Sequence, residues 1–210
     1  MALLERFSVL AHEVRSPVAA LAAIAEAYPD ADDTTQRRLL ELAEAAVASL
    51  ERLLEDAAGG SLRLERTDLG PLAAAAAETA ALGGTAVVAA TEAGLEVAGD
   101  PDRLRQALDN LIANAIGHSP VGGTVTVTAR RADDAVVVEV ADEGEGIPEE
   151  DLARIFEPGV RLVIDRPGSG IGLAVARTIA RAHGGEVEVR SSPGRGATFR
   201  LVLPGASDAP

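Results

Sequence analysis

Near the N-terminus, the residues best suited to chemistry are His12-Glu13-Val14-Arg15-Ser16-Pro17. His12 lies off the apolar stripe of its segment, so a helix would turn its imidazole into water. Ser8 and Ser16 would sit one turn away on the same face. Glu13 can accept a hydrogen bond from one ring nitrogen and leave the other as a nucleophile. A proline inside a helix removes a backbone hydrogen bond and bends the axis; Pro17 would do so directly after the histidine. A lone histidine on a helix is by itself an ordinary solvated residue, and the proline is what marks this one.

Further groups follow in order. Asn110 and Asn114 stack on one helical face, where amide oxygens suit a hard cation such as Mg²⁺ that prefers oxygen ligands and keeps waters. A solvent-facing polar stripe is the plain alternative. Asp142-Glu143-Gly144-Glu145-Gly146 follows a strand-like run. A carboxylate there can accept from a base amino group while Gly144 and Gly146 let the backbone turn beneath it, although a simple turn has the same string. Gly168-Ser169-Gly170-Ile171-Gly172 opens a helix, whose first amides and dipole favour phosphate. The spacing and the missing βαβ unit separate it from a dinucleotide fingerprint. Gly194-Arg195-Gly196-Ala197-Thr198-Phe199 leads into a final strand and alone reads as a hairpin turn.

The elements that must position these groups divide the chain in two. Leu3, Phe7, Leu10, Val14, Val18, Leu21 and Ile24 recur at helical steps, and Pro29-Asp30-Ala31-Asp32-Asp33 interrupts them. Thr34 is a candidate cap for a second helix, whose stripe is Leu39, Leu42, Ala46, Leu50, Leu53 and Ala57, ending at Gly59-Gly60. Residues 1–60 are thus a helical hairpin. Two helices cannot bury both stripes, so the hairpin is expected to pair with a second copy as a four-helix bundle, making the protein a homodimer. Residues 61–205 read as a second domain. Its expected helices are 69–82, 102–116 and 171–183; its expected strands are 85–90, 95–98, 124–130, 135–140, 186–190 and 197–203. Strand runs with helices on one face make the fold class α+β, a sandwich of helices on a sheet. Residues 206–210 are expected to be a disordered tail.

Composition removes several functions. The net charge of −14 repels phosphate backbones and anionic lipid heads, so nucleic acid and direct membrane contact are poor partners. There is no lysine, hence no P-loop of the GxxxxGK[ST] type. There is no cysteine, hence no disulfide or thiolate metal site. Without a long apolar run or a signal pattern, the chain is expected to be cytoplasmic.

Order and spacing together carry a resemblance. The sequence resembles the transmitter core of sensor histidine kinases: residues 12–17 look like the H-box of the dimerisation and phosphoacceptor domain, and Asn110 and Asn114 like the N-box. Asp142 to Gly146 resembles the first glycine box, Ile155-Phe156-Glu157 the F-box, Gly168 to Gly172 the second glycine box and Gly194 to Phe199 the last. The resemblance implies a GHKL-type ATP-binding sandwich, with ATP and Mg²⁺ as cofactors. Asn114 would ligand the metal, supported by Asn110, and Asp142 would hold the adenine amino group. Gly144 and Gly146 would shape the adenine pocket, Gly168, Gly170 and Gly172 would admit the triphosphate, and Thr198 would join the nucleotide contacts. His12 would take the γ-phosphoryl group with Glu13 polarising the imidazole. The phosphoryl group would then pass to an aspartate of a response regulator, and Ser16 matches a position that aligns water for the reverse dephosphorylation.

Three departures from the family pattern stand out: Gly117-His118 where a basic residue is common, Pro158-Gly159 after the F-box, and a short lid in which Arg161 or Arg166 would supply positive charge. Asn110 occupies the place of the water-activating glutamate of gyrase-like ATPases, which argues against simple ATP hydrolysis. A phosphotransfer scaffold with a degenerate ATP site is the other alternative. His183 reads as a helix C-terminal residue without a catalytic part.

Overall fold

The computed structural model describes residues 14, 17–32, 34–40, 42, 43, 46, 47, 50, 62–157, 160 and 170–206. The chain forms two compact units, Met1–Ser61 and Leu62–Pro210.

In the first unit, residues 17–27 and 34–40 are helical, joined through a 3-10 turn at Tyr28–Asp30 and an extended Ala31. The second helix is capped by Asp32 rather than Thr34: Asp32 Oδ1 accepts from the Thr35 amide at 2.8 Å. A carboxylate three residues ahead of an orphan amide makes a better cap than a threonine already inside the first turn. Of the described apolar stripe residues, Ala46 is buried, whereas Val14, Leu21, Ile24, Leu39, Leu42 and Leu50 are half-buried and Val18 is exposed.

The second unit begins with β1 (Glu65–Asp68), which pairs antiparallel with β3 (Glu96–Gly99) as a two-stranded ribbon. No strand was expected at β1. Glu65-Arg66-Thr67-Asp68 has no apolar alternation, because it is held by its partner's backbone and buries little besides Thr67. The main sheet has the order β2 (Ala86–Thr91), β4 (Thr124–Ala132), β5 (Ala135–Ala141), β7 (Ala197–Pro204) and β6 (Glu186–Ser191). Only β2–β4 is parallel, so the sheet is mixed. Helices α1 (Leu69–Ala81), α2 (Pro101–His118) and α3 (Gly172–Ala182) complete the unit.

Alternation along the strands decides which face the helices cover. Val125, Val127, Val136, Val138, Val140, Phe199, Leu201 and Leu203 point inward and join Leu69, Leu104, Leu108, Leu111, Ile112 and Ala176 in one core. The opposite face carries an ion-pair ladder, in which Arg200 reaches Glu139 at 3.0 Å and Glu188 at 2.6 Å, with Arg130 also on Glu139. The α+β sandwich expected from the pattern is the fold observed, with the strand and helix ranges shifted by a residue or two.

Two aspartates fix the helix starts. Asp68 caps α1 and accepts the amides of Gly70, Gly94 and Leu95. Burial pushes its carboxyl up, but these amides outweigh burial and hold it below the usual value. Asp100 caps α2 through the amides of Asp102 and Arg103. Its own amide donates to His183 Nε2 at 3.0 Å, which leaves the ring proton on Nδ1, 2.7 Å from the Ile179 carbonyl oxygen. His183, 8% exposed, therefore ties the end of α3 to the start of α2. At the C-terminus, Ala206, assigned to the tail, donates to Glu96 at 2.8 Å, and its neighbour Gly205 donates to Asp134 at 2.8 Å and bridges Val97. Backbone pairing at the end of β7 holds them despite their bland sequence. Residues 207–210 lie outside the described residues. Among those described, no helix is long and apolar enough to cross a membrane.

Candidate active site

The site is built where β5 ends against the start of β7. Asp142 follows β5 and is 8% exposed. Its Oδ1 accepts the amides of Gly144 at 2.8 Å and Ala197 at 3.1 Å, and its own amide donates to the Ala197 carbonyl oxygen. Its Oδ2 is buried without a hydrogen-bond partner. Two fixed amides on one oxygen and an orphan second oxygen give a carboxylate held in place with one acceptor reserved for an incoming donor.

The turn after Asp142 requires its glycines for different reasons. At Gly144 a Cβ would stand 2.5 Å from the His118 carbonyl oxygen, so the end of α2 presses on the turn. At Gly146 the backbone has φ +74° and a Cβ would collide with the Ser192 carbonyl. The turn is stitched to the 192–196 loop by Gly196 N to Gly144 O at 2.9 Å and by Gly194 N to Glu145 O at 2.6 Å. Ser191 bridges them: its Oγ accepts from Ile147 N at 2.8 Å and donates to Gly196 O at 2.6 Å. Ser191 is a residue that sequence reasoning missed, since a serine at a strand end carries no signal of its own. Leu152, Val189, Arg190, Ser191, Ser192, Arg195, Gly196 and Thr198 line an open groove of about 460 Å³ beside this junction.

Thr198 borders that groove from the outer face of the sheet. Along β7 it shares the face of Arg200, opposite the inward Ala197 and Phe199, and it pairs with Ala141 and Arg190. It therefore stands on the charged outer face of the sheet, and the β7 group that meets Asp142 is the backbone of Ala197. Strand parity from Phe199 was the signal available for this.

Asn110 and Asn114 lie half-buried on α2, one turn apart. The Asn110 amide faces the start of α3: a Cβ on Gly172 would sit 3.6 Å from Asn110 Oδ1. Gly170, with φ +69°, and Gly172 thus bring the N-terminus of α3 to the face that carries the asparagines. Phe156 packs in the same region, with the Arg177 guanidinium 4.7 Å from its ring centre. His118, at the end of α2, stands 3.8 Å from Glu145. Among the described residues no cluster of His, Cys, Asp and Glu could hold a metal by itself. His12, Glu13, Ser16, Arg161, Arg166 and Gly168 lie outside the described residues, as does the segment expected to be the lid apart from Val160.

Comparison with known proteins decides the family. Residues 99–207, just over half of the chain, match the family described as histidine kinase-, DNA gyrase B-, and HSP90-like ATPase. The chain belongs to this ATPase family. The alginate biosynthesis sensor protein KinB of Pseudomonas aeruginosa is 46% identical over 105 residues, covering 49% of this chain and 18% of KinB. The sensor-like histidine kinase SenX3 of Mycobacterium bovis is 37% identical over 220 residues, 95% of this chain and 53% of SenX3. Among solved structures, full-length ShkA in complex with AMPPNP is 29% identical with a TM-score of 0.65, covering 98% of this chain and 47% of that one. The chain thus spans less than two thirds of each of these relatives. Membership of this ATPase family implies that the chain binds ATP.

Proposed function

We propose that this chain is the kinase core of a two-component sensor, phosphorylating His12 from ATP and passing the phosphoryl group to an aspartate of a response regulator. The observation that carries the proposal is the Asp142 carboxylate, clamped through Oδ1 with Oδ2 unpaired, in a chain similar over 95% of its length to a sensor histidine kinase.

The donor set on α2 fits Mg²⁺. With no acidic cage among the described residues, the metal would be held by Asn114 and the phosphate oxygens, with Asn110 in support, as suits a cation that keeps most of its water. When bound, the ion neutralises phosphate charge. The protein's own residues do the rest by positioning. Asp142 accepts from the adenine amino group, and Gly144 and Gly146 let the backbone close on the base. Gly168, Gly170 and Gly172 give the phosphates access to the amides at the start of α3. The His12 imidazole nitrogen forms a bond to the γ-phosphorus as the bond to the ADP oxygen breaks, and Glu13 receives the imidazole proton. Ser16 aligns water for dephosphorylation of the partner.

The hairpin, residues 1–60, forms a four-helix bundle with a second copy, and residues 61–205 are the catalytic domain. The exposed Val18, Leu40 and Val47, at 49%, 49% and 44%, supply apolar surface for that partner copy. The departures at Gly117 and around Pro158 leave the scaffold reading to be tested directly. A calorimetric titration with ATP and Mg²⁺, followed by transfer of label from the labelled chain to a purified receiver domain, supports the kinase if both occur. Absence of nucleotide binding supports the scaffold instead.

A further inference from the structure

Among the described residues, two buried side-chain polar atoms have no hydrogen-bond partner: Asp142 Oδ2 and Ser119 Oγ. Both belong to the same junction. A Cβ on Gly144 would stand 2.5 Å from the His118 carbonyl oxygen and 2.8 Å from Asp142 Oδ1, so the peptide joining His118 to Ser119 abuts the turn that follows Asp142. Ser119 ends α2 through its backbone alone. Its φ and ψ are −64° and 144°, and its amide donates to the Ala115 carbonyl oxygen at 2.9 Å. Its hydroxyl is not needed for capping. One unpaired buried polar atom is unfavourable, and two around a single turn call for a shared explanation.

We propose that Ser119 is a base-specificity residue acting beside Asp142, an inference that rests on the ATP reading of this site. A carboxylate only accepts, whereas a hydroxyl can donate. An acceptor next to a donor complements one edge of adenine, where the 6-amino group donates and ring N1 accepts. Guanine presents the reverse order. Asp142 Oδ2 accepts a hydrogen bond from the amino group and the Ser119 hydroxyl donates toward N1, so that the two orphan atoms are satisfied by one ligand. Ser119 carried no signal in the sequence because a serine after a helix reads as a plain stop.

The test is a calorimetric titration of the native chain, Ser119→Ala and Ser119→Thr with ATP and with 1-deaza-ATP, in which C–H replaces N1. The native chain should bind 1-deaza-ATP about 5–10-fold more weakly than ATP, the loss expected for one neutral hydrogen bond. Ser119→Ala should weaken ATP by about the same factor and leave 1-deaza-ATP unchanged, while Ser119→Thr keeps the preference for ATP. Equal weakening of both nucleotides in Ser119→Ala overturns the proposal in favour of a packing role, and so does ATP affinity that does not change. Failure of the native chain to bind either nucleotide overturns the ATP reading itself, and is thereby distinct from failure of the Ser119 inference.

Discussion

Asp142 offers a substitution whose effects on binding and on folding separate cleanly. In Asp142→Asn the side-chain carbonyl oxygen can still accept the amides of Gly144 and Ala197, now 2.8 and 3.1 Å from Oδ1. The buried Oδ2 becomes an NH₂ group that points a donor at the donor of adenine. A hydrogen bond to a charged acceptor contributes about 1.5–3 kcal/mol, so ATP affinity should fall by a factor of roughly 10–150. The two amides stay paired, so the melting temperature should move by no more than about 3 °C. Asp142→Ala instead strands both amides in a buried place, at about 1–3 kcal/mol each, and should lower the melting temperature by roughly 5–15 °C. Calorimetric titration and thermal melts of both variants read the two effects. If Asp142→Asn binds ATP like the native chain, or loses as much stability as Asp142→Ala, the division of labour between the two oxygens is wrong.

Other expectations follow from the same structure. Asn114→Ala should weaken ATP binding by at least about tenfold with Mg²⁺ present, in line with losses seen when a metal site's protein support is removed. With the metal chelated, native and variant should bind alike by the same titration. His183→Ala removes the acceptor for the Asp100 amide and the donor to Ile179, and should cost about 2–4 kcal/mol, visible as a melting temperature lowered by roughly 5–15 °C. Glu186 gives a pH signature. Burial pushes its carboxyl up, but Arg177, Arg181 and the Val187 amide bring it down to about 2. A depressed folded value means the stabilisation is present above the unfolded value of about 4.3 and fades as pH falls from there through about 2. Its side chain is 37% exposed, so solvent screening limits the gain to about 1 kcal/mol or less. Denaturant midpoints of the native chain and Glu186→Gln should therefore differ at pH 7 and converge toward pH 2–3.

The fold and the site were not equally legible. Strands 124–130, 135–140 and 197–203 announced themselves because alternating valines and leucines face a helix layer, and the α2 and α3 ranges because their apolar faces repeat at helical period. β1 had no such signal, since its order comes from pairing with β3 and not from burying side chains. Asp142, Gly144 and Gly146 were legible as candidates because a carboxylate and glycines leave a mark in sequence. Ser191, Ser119 and the Ala197 amide were not, because their parts are played by one hydroxyl or by the backbone at a place only the tertiary structure defines. Thr198 illustrates a simpler limit: a motif gives residue types, but the pleat decides which of two neighbours meets Asp142, and here it is Ala197.

The central claim is tested most directly by incubating the native chain, His12→Ala and Asn114→Ala with γ-labelled ATP and Mg²⁺ and measuring label on the protein. The account predicts acid-labile, alkali-stable label on the native chain and none on either variant. Label that persists in His12→Ala, or a native chain that binds ATP but takes up no label, would contradict it.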